Sequence, residues 1–284
     1  KRRGGPELIY AEKKYKEAVA VAAEKCAEDT KGQTCYICTQ ALHWKTKEGL
    51  VRMCACRGTA GVAHVSCLAE QAKILFAEAE ENNLGTDVLD ERWKRWVFCG
   101  LCEQKYHGVV KCALGRACWK TYVGRPETDQ IRGAAMNVLG SGLCEADLHE
   151  DALIVKEAEL STMRRFGASE SDMLVVLSNL ANTYNQLGRR EDAIRMQRDL
   201  YSGLLRLHGE SDGRTLQAAY NYARSLLQLH RSAALAELQR FEEGKSLLRK
   251  LIPVARRILG ESSELTLRMR WTYALALLNT GATL

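Results

Sequence analysis

Cys35-Tyr36-Ile37-Cys38 opens, and Cys99-Gly100-Leu101-Cys102 closes, a stretch in which eight soft donors stand in order: Cys35, Cys38, Cys54, Cys56, His64, Cys67, Cys99 and Cys102. Cys35/Cys38, His64/Cys67 and Cys99/Cys102 each enclose two residues, and Cys54/Cys56 encloses one. Turns of that length aim two donors at one tetrahedral Zn²⁺, so the order predicts two metal sites. Protein donors fill every position, which leaves no open place for a catalytic water, and the zinc is expected to be structural. No secretory signal pattern is visible in the sequence; the cysteines therefore read as thiols and the expected location is intracellular, cytoplasmic or nuclear. Cys26, Cys112, Cys118 and Cys144 fall outside the pattern on helical periodicities and read as packing thiols.

These residues resemble the RING-CH (RING-variant) zinc domain of ubiquitin ligases. Cys-x-x-Cys is followed by Cys54-x-Cys56, seven residues, His64-x-x-Cys67 and finally Cys99-x-x-Cys102. The PHD finger has the same ligand order but usually spaces its second pair by two to four residues and places four or five before the histidine. Spacings of one and seven fit RING-CH. The cross-brace of that family implies that Cys35, Cys38, His64 and Cys67 share one Zn²⁺ and Cys54, Cys56, Cys99 and Cys102 the other; spacing alone leaves other groupings open. So grouped, the sites carry formal charges of about −1 and about −2, which Arg52, Arg57 and Lys105 are placed to offset.

The 284 residues, 46% hydrophobic and 27% charged, have the make-up of a folded globular chain with room for one or two domains. Three prolines and four phenylalanines against abundant Ala, Leu, Glu and Arg predict a mostly helical protein. No run of 18 apolar residues is present, so no membrane span is expected. Lys and Arg are interleaved with Asp and Glu, and the net charge of +6 is modest, which argues against a nucleic-acid partner.

The chain divides into an N-terminal helix (1–33), the zinc domain (34–104) and helical repeats (105–284). It starts at Lys1 without a methionine, which suggests a fragment or processed product, and residues 1–5 read as a flexible basic start. Pro6 suits the first turn of a helix whose apolar face is Leu8, Ala11, Tyr15, Ala18, Val19 and Ala22. Between Cys38 and Cys54, Leu42, Trp44, Leu50 and Val51 around Lys47-Glu48-Gly49 predict a small hairpin, with His43 a packing or surface residue and no ligand. Ser66 reads as the N-cap of a helix carrying Leu68, Ala72, Leu75 and Ala79 and ending near Asn82-Asn83. A short helix with Leu89, Trp93 and Trp96 follows, so the 31 residues between Cys67 and Cys99 predict an ordered helical insertion.

After Cys102 the sequence repeats. Gly167, Leu174, Asn179, Ala181 and Leu187 recur 42 residues later as Gly209, Leu216, Asn221, Ala223 and Leu229. A third copy, beginning at Gly260, follows at a step of 51, with Arg231–Gln239 as the extra nine residues. Within a unit, Leu177, Leu180, Ala181 and Tyr184 line one helix, and Ile194, Leu200, Tyr201, Leu204 and Leu205 the next. A lone hairpin cannot bury such faces, so the units are expected to stack into an α-solenoid. The text SNLANTYNQLGRREDAIRM with its 42-residue period is similar to the tetratricopeptide repeats of kinesin light chains. Residues 108–123 match the second helix of an incomplete repeat, which predicts a rigid junction with the zinc domain. The resemblance also implies a peptide groove in which Asn137, Asn179 and Asn221 bond an extended ligand; buried amides paired between helices are the competing reading. Leu265–Leu278 matches a first helix, and Leu267, Trp271, Leu275 and Leu278 are expected to be left exposed, pointing to a longer native chain or to self-association.

No Ser/His/Asp grouping, P-loop or dinucleotide motif is present, so any catalysis acts by positioning a partner enzyme. The RING-CH resemblance implies that partner is a ubiquitin-conjugating enzyme, docked on Ile37; a residue of the small core is the competing reading of that side chain. Some family features are absent: Leu68-Ala69-Glu70-Gln71 lacks the expected aromatic, Gly100 replaces a proline, and Glu103 stands where a basic residue often contacts ubiquitin. The alternatives are a non-catalytic zinc-finger and repeat scaffold for protein–protein interaction, or a PHD-like reader of histone tails.

Overall fold

The computed structural model describes residues 5–227 and 235–281. Among them are eleven α-helices and no strand: α1 (Pro6–Cys26), α2 (Val65–Glu81), α3 (Thr86–Trp93), α4 (Gly108–Tyr122), α5 (Gln130–Glu145), α6 (His149–Phe166), α7 (Glu170–Gln186), α8 (Arg190–His208), α9 (Gly213–Leu227), α10 (Leu235–Leu259) and α11 (Glu264–Gly281). The chain forms two compact units, Lys1–Thr162 and Met163–Leu284.

In the first unit α1 begins at Pro6, whose missing N–H would be unpaired there in any case. It buries Ala11, Tyr15, Val19, Ala22 and Cys26, while Leu8, expected on that face, is exposed. One continuous core holds Tyr15, Val19 and Ala22 of α1, the ligands Cys35, Cys67 and Cys99, and Val110, Leu114 and Tyr122 of α4. The junction after Cys102 has no slack: Phe98 and Lys105 form an isolated antiparallel bridge, the His107 amide donates to the Met53 carbonyl (3.1 Å), and α4 starts at once.

The insertion is helical, and its aromatic side chains explain its length. Trp93 packs edge-on to Phe76 with ring centroids 5.1 Å apart, and Tyr122 of α4 lies 5.4 Å from Trp93 and 5.9 Å from the fully buried Trp96. Aromatic pairs at these separations add about 0.5–1.5 kcal/mol each beyond area burial. Arg125, beyond α4, grips Glu80 at the end of α2 through two hydrogen bonds of 3.0 and 2.6 Å. The insertion therefore binds the zinc region to α4.

The expected hairpin between Cys38 and Cys54 is absent. A turn does form, with the His43 amide donating to the Glu48 carbonyl and the Lys47 amide to the His43 carbonyl, but no strands flank it. Val51 instead bridges to Ala63. Leu50 and Val51 are buried, whereas Leu42 and Trp44 are exposed.

In the second unit consecutive helices α7 to α11 pack as antiparallel neighbours. Leu177, Leu180, Ala181 and Tyr184 are buried, as are Ile194 and Leu200; Leu205 is exposed. α6, α8 and α10 are followed by Gly167, Gly209 and Gly260, at φ of 68°, 77° and 90°. The repeat is thus registered by left-handed C-terminal stops that glycine adopts without a Cβ penalty. After them, Ser169 Oγ accepts the Asp172 amide of α7, and Asp212 accepts the Arg214 and Thr215 amides of α9. Leu267, Trp271, Leu275 and Leu278 of α11 are exposed, as expected. Leu229 and residues 231–234 of the nine-residue insertion Arg231–Gln239 lie outside the described residues, as do residues 1–4 of the basic start.

Candidate metal centres

The chain brings the eight donors together in two groups, Cys35/Cys38/His64/Cys67 and Cys54/Cys56/Cys99/Cys102. Within each group all donor atoms lie within 4.8 Å of one another. The fit to zinc can be tested on edge lengths. With Zn–S of about 2.3 Å and Zn–N of about 2.0–2.1 Å, a tetrahedron has S···S edges of about 3.8 Å and S···N edges of about 3.6 Å. Cys56 Sγ and Cys99 Sγ are 3.7 Å apart. His64 Nδ1 lies 3.3 Å from Cys38 Sγ and 3.7 Å from Cys67 Sγ. The residues present therefore fit two Zn²⁺ ions.

The first and last knuckles are built alike. The Cys35 amide donates to the Gln40 carbonyl and the Cys99 amide to the Gln104 carbonyl; Thr39 and Glu103 amides return to the carbonyls of Cys35 and Cys99. Thr39 and Glu103 both take left-handed backbone, at φ of 63° and 55°. The amides of Ile37, Cys38 and Leu101 point at the leading sulfurs, Cys35 Sγ and Cys99 Sγ, at 3.4–3.5 Å. Such N–H···S contacts stabilise thiolate and orient it for a cation.

His64 and Cys67 are presented by the start of α2. His64 is the N-cap in extended backbone, and Cys67 three residues on lies on the same side of the first turn. Nδ1 faces the sulfurs, while Nε2 lies 3.4 Å from the Ala41 carbonyl, a contact that fixes the orientation of the ring. Burial holds the imidazole below its usual pKa, favouring the neutral, ligating form. Burial also pushes the Cys54 and Cys67 thiols up, so a cation has to offset the cost of their thiolates.

Ser66 does not cap α2, which already starts at Val65 so that His64 and Cys67 can converge. Glu48 does so from a loop: its carboxylate accepts the Ser66 amide at 2.7 Å and the Ser66 hydroxyl at 2.8 Å, and Tyr15 Oη lies 3.1 Å from that hydroxyl. This chain of contacts ties α1 to the first metal group. His43 is a packing residue, its ring edge-on to His64 at 5.3 Å and its Nδ1 2.8 Å from Thr46 Oγ1. Of the three basic residues expected to offset the thiolates, Arg52 sits in the field of Cys54 and Cys56 while bound to Asp29 at 2.6 and 2.9 Å. Arg57 is exposed, and Lys105 lies over the Phe98 ring at 5.7 Å. Sequence reading missed Gly61, whose φ of 75° and closeness to Cys54 and Cys56 leave no room for a side chain.

The residues expected to meet a partner are dispersed. Ile37 is 37% exposed at the tip of the first knuckle, and Leu101, at the same place in the last, is 52% exposed. Asn137 on α5, Asn179 on α7 and Asn221 on α9 are half-buried. The Asn137 amide is bonded to the Glu159 carboxylate, and Asn221 Oδ1 accepts from Gln217 Nε2. Of the four cysteines outside the metal groups, Cys26, Cys112 and Cys118 are buried and Cys144 is half-buried.

Comparison with known proteins agrees with this geometry. Residues 35–83 match the model of the RING-variant domain, a span that ends before Cys99 and Cys102. No curated protein matches the sequence. A solved structure from Podosopora anserina with kinesin light chain nearly identical TPR-like repeats is 14% identical, with a TM-score of 0.52, covering 77% of this chain and 89% of that one. A single-substitution variant of that protein gives a TM-score of 0.50 at the same identity and coverage. At this identity the likeness speaks for the fold alone. No described helix is long and apolar enough to cross a membrane. Residues 35–83 thus match a RING-variant domain, Cys99 and Cys102 complete its second donor group in space, and the chain shares the fold of kinesin light chain TPR-like repeats.

Proposed function

We propose that the protein acts in ubiquitin transfer: its zinc domain docks a ubiquitin-conjugating enzyme, and its repeats hold a protein partner or substrate. The observation that carries this reading is the exposure of Ile37. A purely structural knuckle would bury that side chain beneath the 68–98 insertion, yet the insertion packs toward α4. Ile37 and Leu101 stand as apolar anchors at the tips of two knuckles whose backbones the metals hold rigid, and rigid exposed apolar side chains make efficient interface anchors. The domain contributes no covalent step. It orients a thioester-linked ubiquitin and a substrate lysine, an effect of proximity. The repeats provide the second half: Asn179 and Asn221, one period apart on α7 and α9, are the residues expected to bond the backbone of an extended peptide.

The test is a reconstituted ubiquitination reaction over a panel of conjugating enzymes. Ile37→Ala should lower transfer at least tenfold and leave two zinc ions per chain, whereas Cys35→Ala should abolish transfer and zinc binding at the first site. Glu103→Arg should raise transfer, since its position beside the last ligand suits a donor to ubiquitin. No transfer with any conjugating enzyme, or activity that Ile37→Ala leaves untouched, would reject this docking surface and favour the non-catalytic scaffold.

A further inference from the structure

Away from the metal groups, α5 and α6 enclose a polar cluster that the reading above does not use. Lys156 is a lysine only 4% exposed, and its Nζ lies 3.0 Å from Cys144 Sγ. Gly140 makes room for it: a Cβ there would stand 3.1 Å from Lys156 Cγ and 3.2 Å from Lys156 Cε, so the lysine stem runs across the α5 backbone at that glycine. One turn further along α6 lies Glu159, 3% exposed, whose Oε2 is buried with no hydrogen-bond partner. Residues three apart on a helix are neighbours, so the Glu159 carboxylate shares a face with the Lys156 amine. Cys144 as a residue is half-buried.

Burying a lysine is costly, so its amine must be held by fixed partners, and the Cys144 sulfur is one of them. The arrangement does suit chemistry between nitrogen and sulfur. We propose that Cys144 and Lys156 form an oxidation-dependent covalent cross-link, a sulfenamide, that staples α5 to α6. A hydroperoxide supplies the oxidant. The Cys144 sulfur attacks it, the O–O bond breaks, and the thiol becomes a sulfenic acid while the peroxide is reduced to water or an alcohol. The Lys156 ammonium, beside the sulfur, then passes a proton to the sulfenic hydroxyl. Its lone pair attacks the sulfenic sulfur, the S–N bond forms as the S–O bond breaks, and the hydroxyl leaves as water with the proton it has taken. Loss of the remaining ammonium proton leaves a neutral S–N link. Sulfenic acids condense with nitrogen nucleophiles held within reach, and a fixed contact of 3.0 Å removes most of the entropy of the encounter. A thiol reductant would attack the sulfur, release the amine and reverse the link.

The experiment uses the full zinc-loaded chain, treated with hydrogen peroxide in steps short of zinc release, digested without reductant and mapped by mass spectrometry. The expected result is a linked pair of peptides joining residues 144 and 156, lighter than their sum by one H₂, which separates on treatment with dithiothreitol. Lys156→Arg should give no linked pair, and its Cys144 should proceed to the sulfinic acid. The proposal is overturned if wild-type Cys144 is recovered as a sulfinic acid, as a disulfide to another cysteine, or unmodified after the zinc thiolates have been oxidised. None of these outcomes depends on ubiquitin transfer, so the cross-link and the proposed function stand or fall separately.

Discussion

Stripping zinc from the protein should unfold α1 through α5 along with the metal-binding loops, and leave α7 to α11 helical. The size of the effect follows from comparing two quantities. A structural zinc contributes on the order of 10–16 kcal/mol of apparent binding energy, while a whole domain is stable by about 5–15 kcal/mol. Without the ions, seven thiols and an imidazole converge with no partner to hold them, and the loops between residues 35 and 63 have turns but no strands to fall back on. Cys35, Cys67 and Cys99 lie in the same core as Tyr15 and Val19 of α1 and Val110 and Leu114 of α4, so loss of the metal groups opens that core from its centre. The α9–α11 region keeps a core of its own around Leu216, Leu248, Leu251 and Met269. Hydrogen exchange before and after chelation is the measurement: protection in α1 and α4 should fall with that of the loops. Elemental analysis should give two zinc per chain beforehand. Retained protection in α1 while residues 35–102 exchange freely would mean that the helix is stable without the metals.

The parts of this molecule that were legible in sequence are those set by chemistry with a fixed spacing. Cysteine and histidine pairs announce a metal because few other arrangements need soft donors at such intervals. The repeats announce themselves because every unit needs the same stop, and Gly167, Gly209 and Gly260 supply it in left-handed backbone. What stayed hidden depends on contacts between distant residues. Apolar Leu42 and Trp44 were expected to support a hairpin and are exposed, because the pairing partner of Val51 lies beyond the ligands at Ala63. Ser66, a good cap by type, sits one residue inside α2, because metal geometry fixes the helix start at His64 and a carboxylate 18 residues away satisfies the free amide. The insertion was legible as helix, but its purpose was not: no local pattern joins Phe76 and Trp93 to Tyr122.

Gly61→Ala should remove one of the two zinc ions, the one held by Cys54, Cys56, Cys99 and Cys102. Two separate penalties meet at this residue. Its φ of 75° is left-handed, a region that costs a residue with a Cβ about 1–2 kcal/mol. The added methyl would also stand 2.6 Å from Cys56 Cβ and 2.8 Å from Cys56 Sγ, with Cys54 Sγ at 3.2 Å. A flexible side chain could swing away from such a contact, but both cysteines must keep their sulfurs on a tetrahedron whose edges are fixed to a few tenths of an ångström. The backbone must give or the metal must leave. Gly58→Ala isolates the first penalty: it has a similar φ of 62° and nothing within 4 Å of the new methyl. That variant should lose about 1–2 kcal/mol of stability and still bind two zinc ions. Zinc content measured on purified, folded protein then separates the causes. One zinc in Gly61→Ala and two in Gly58→Ala would establish that close packing against the sulfurs, not backbone strain, makes glycine necessary at position 61. Two in both would show that the loop can shift by the required ångström without giving up the ion.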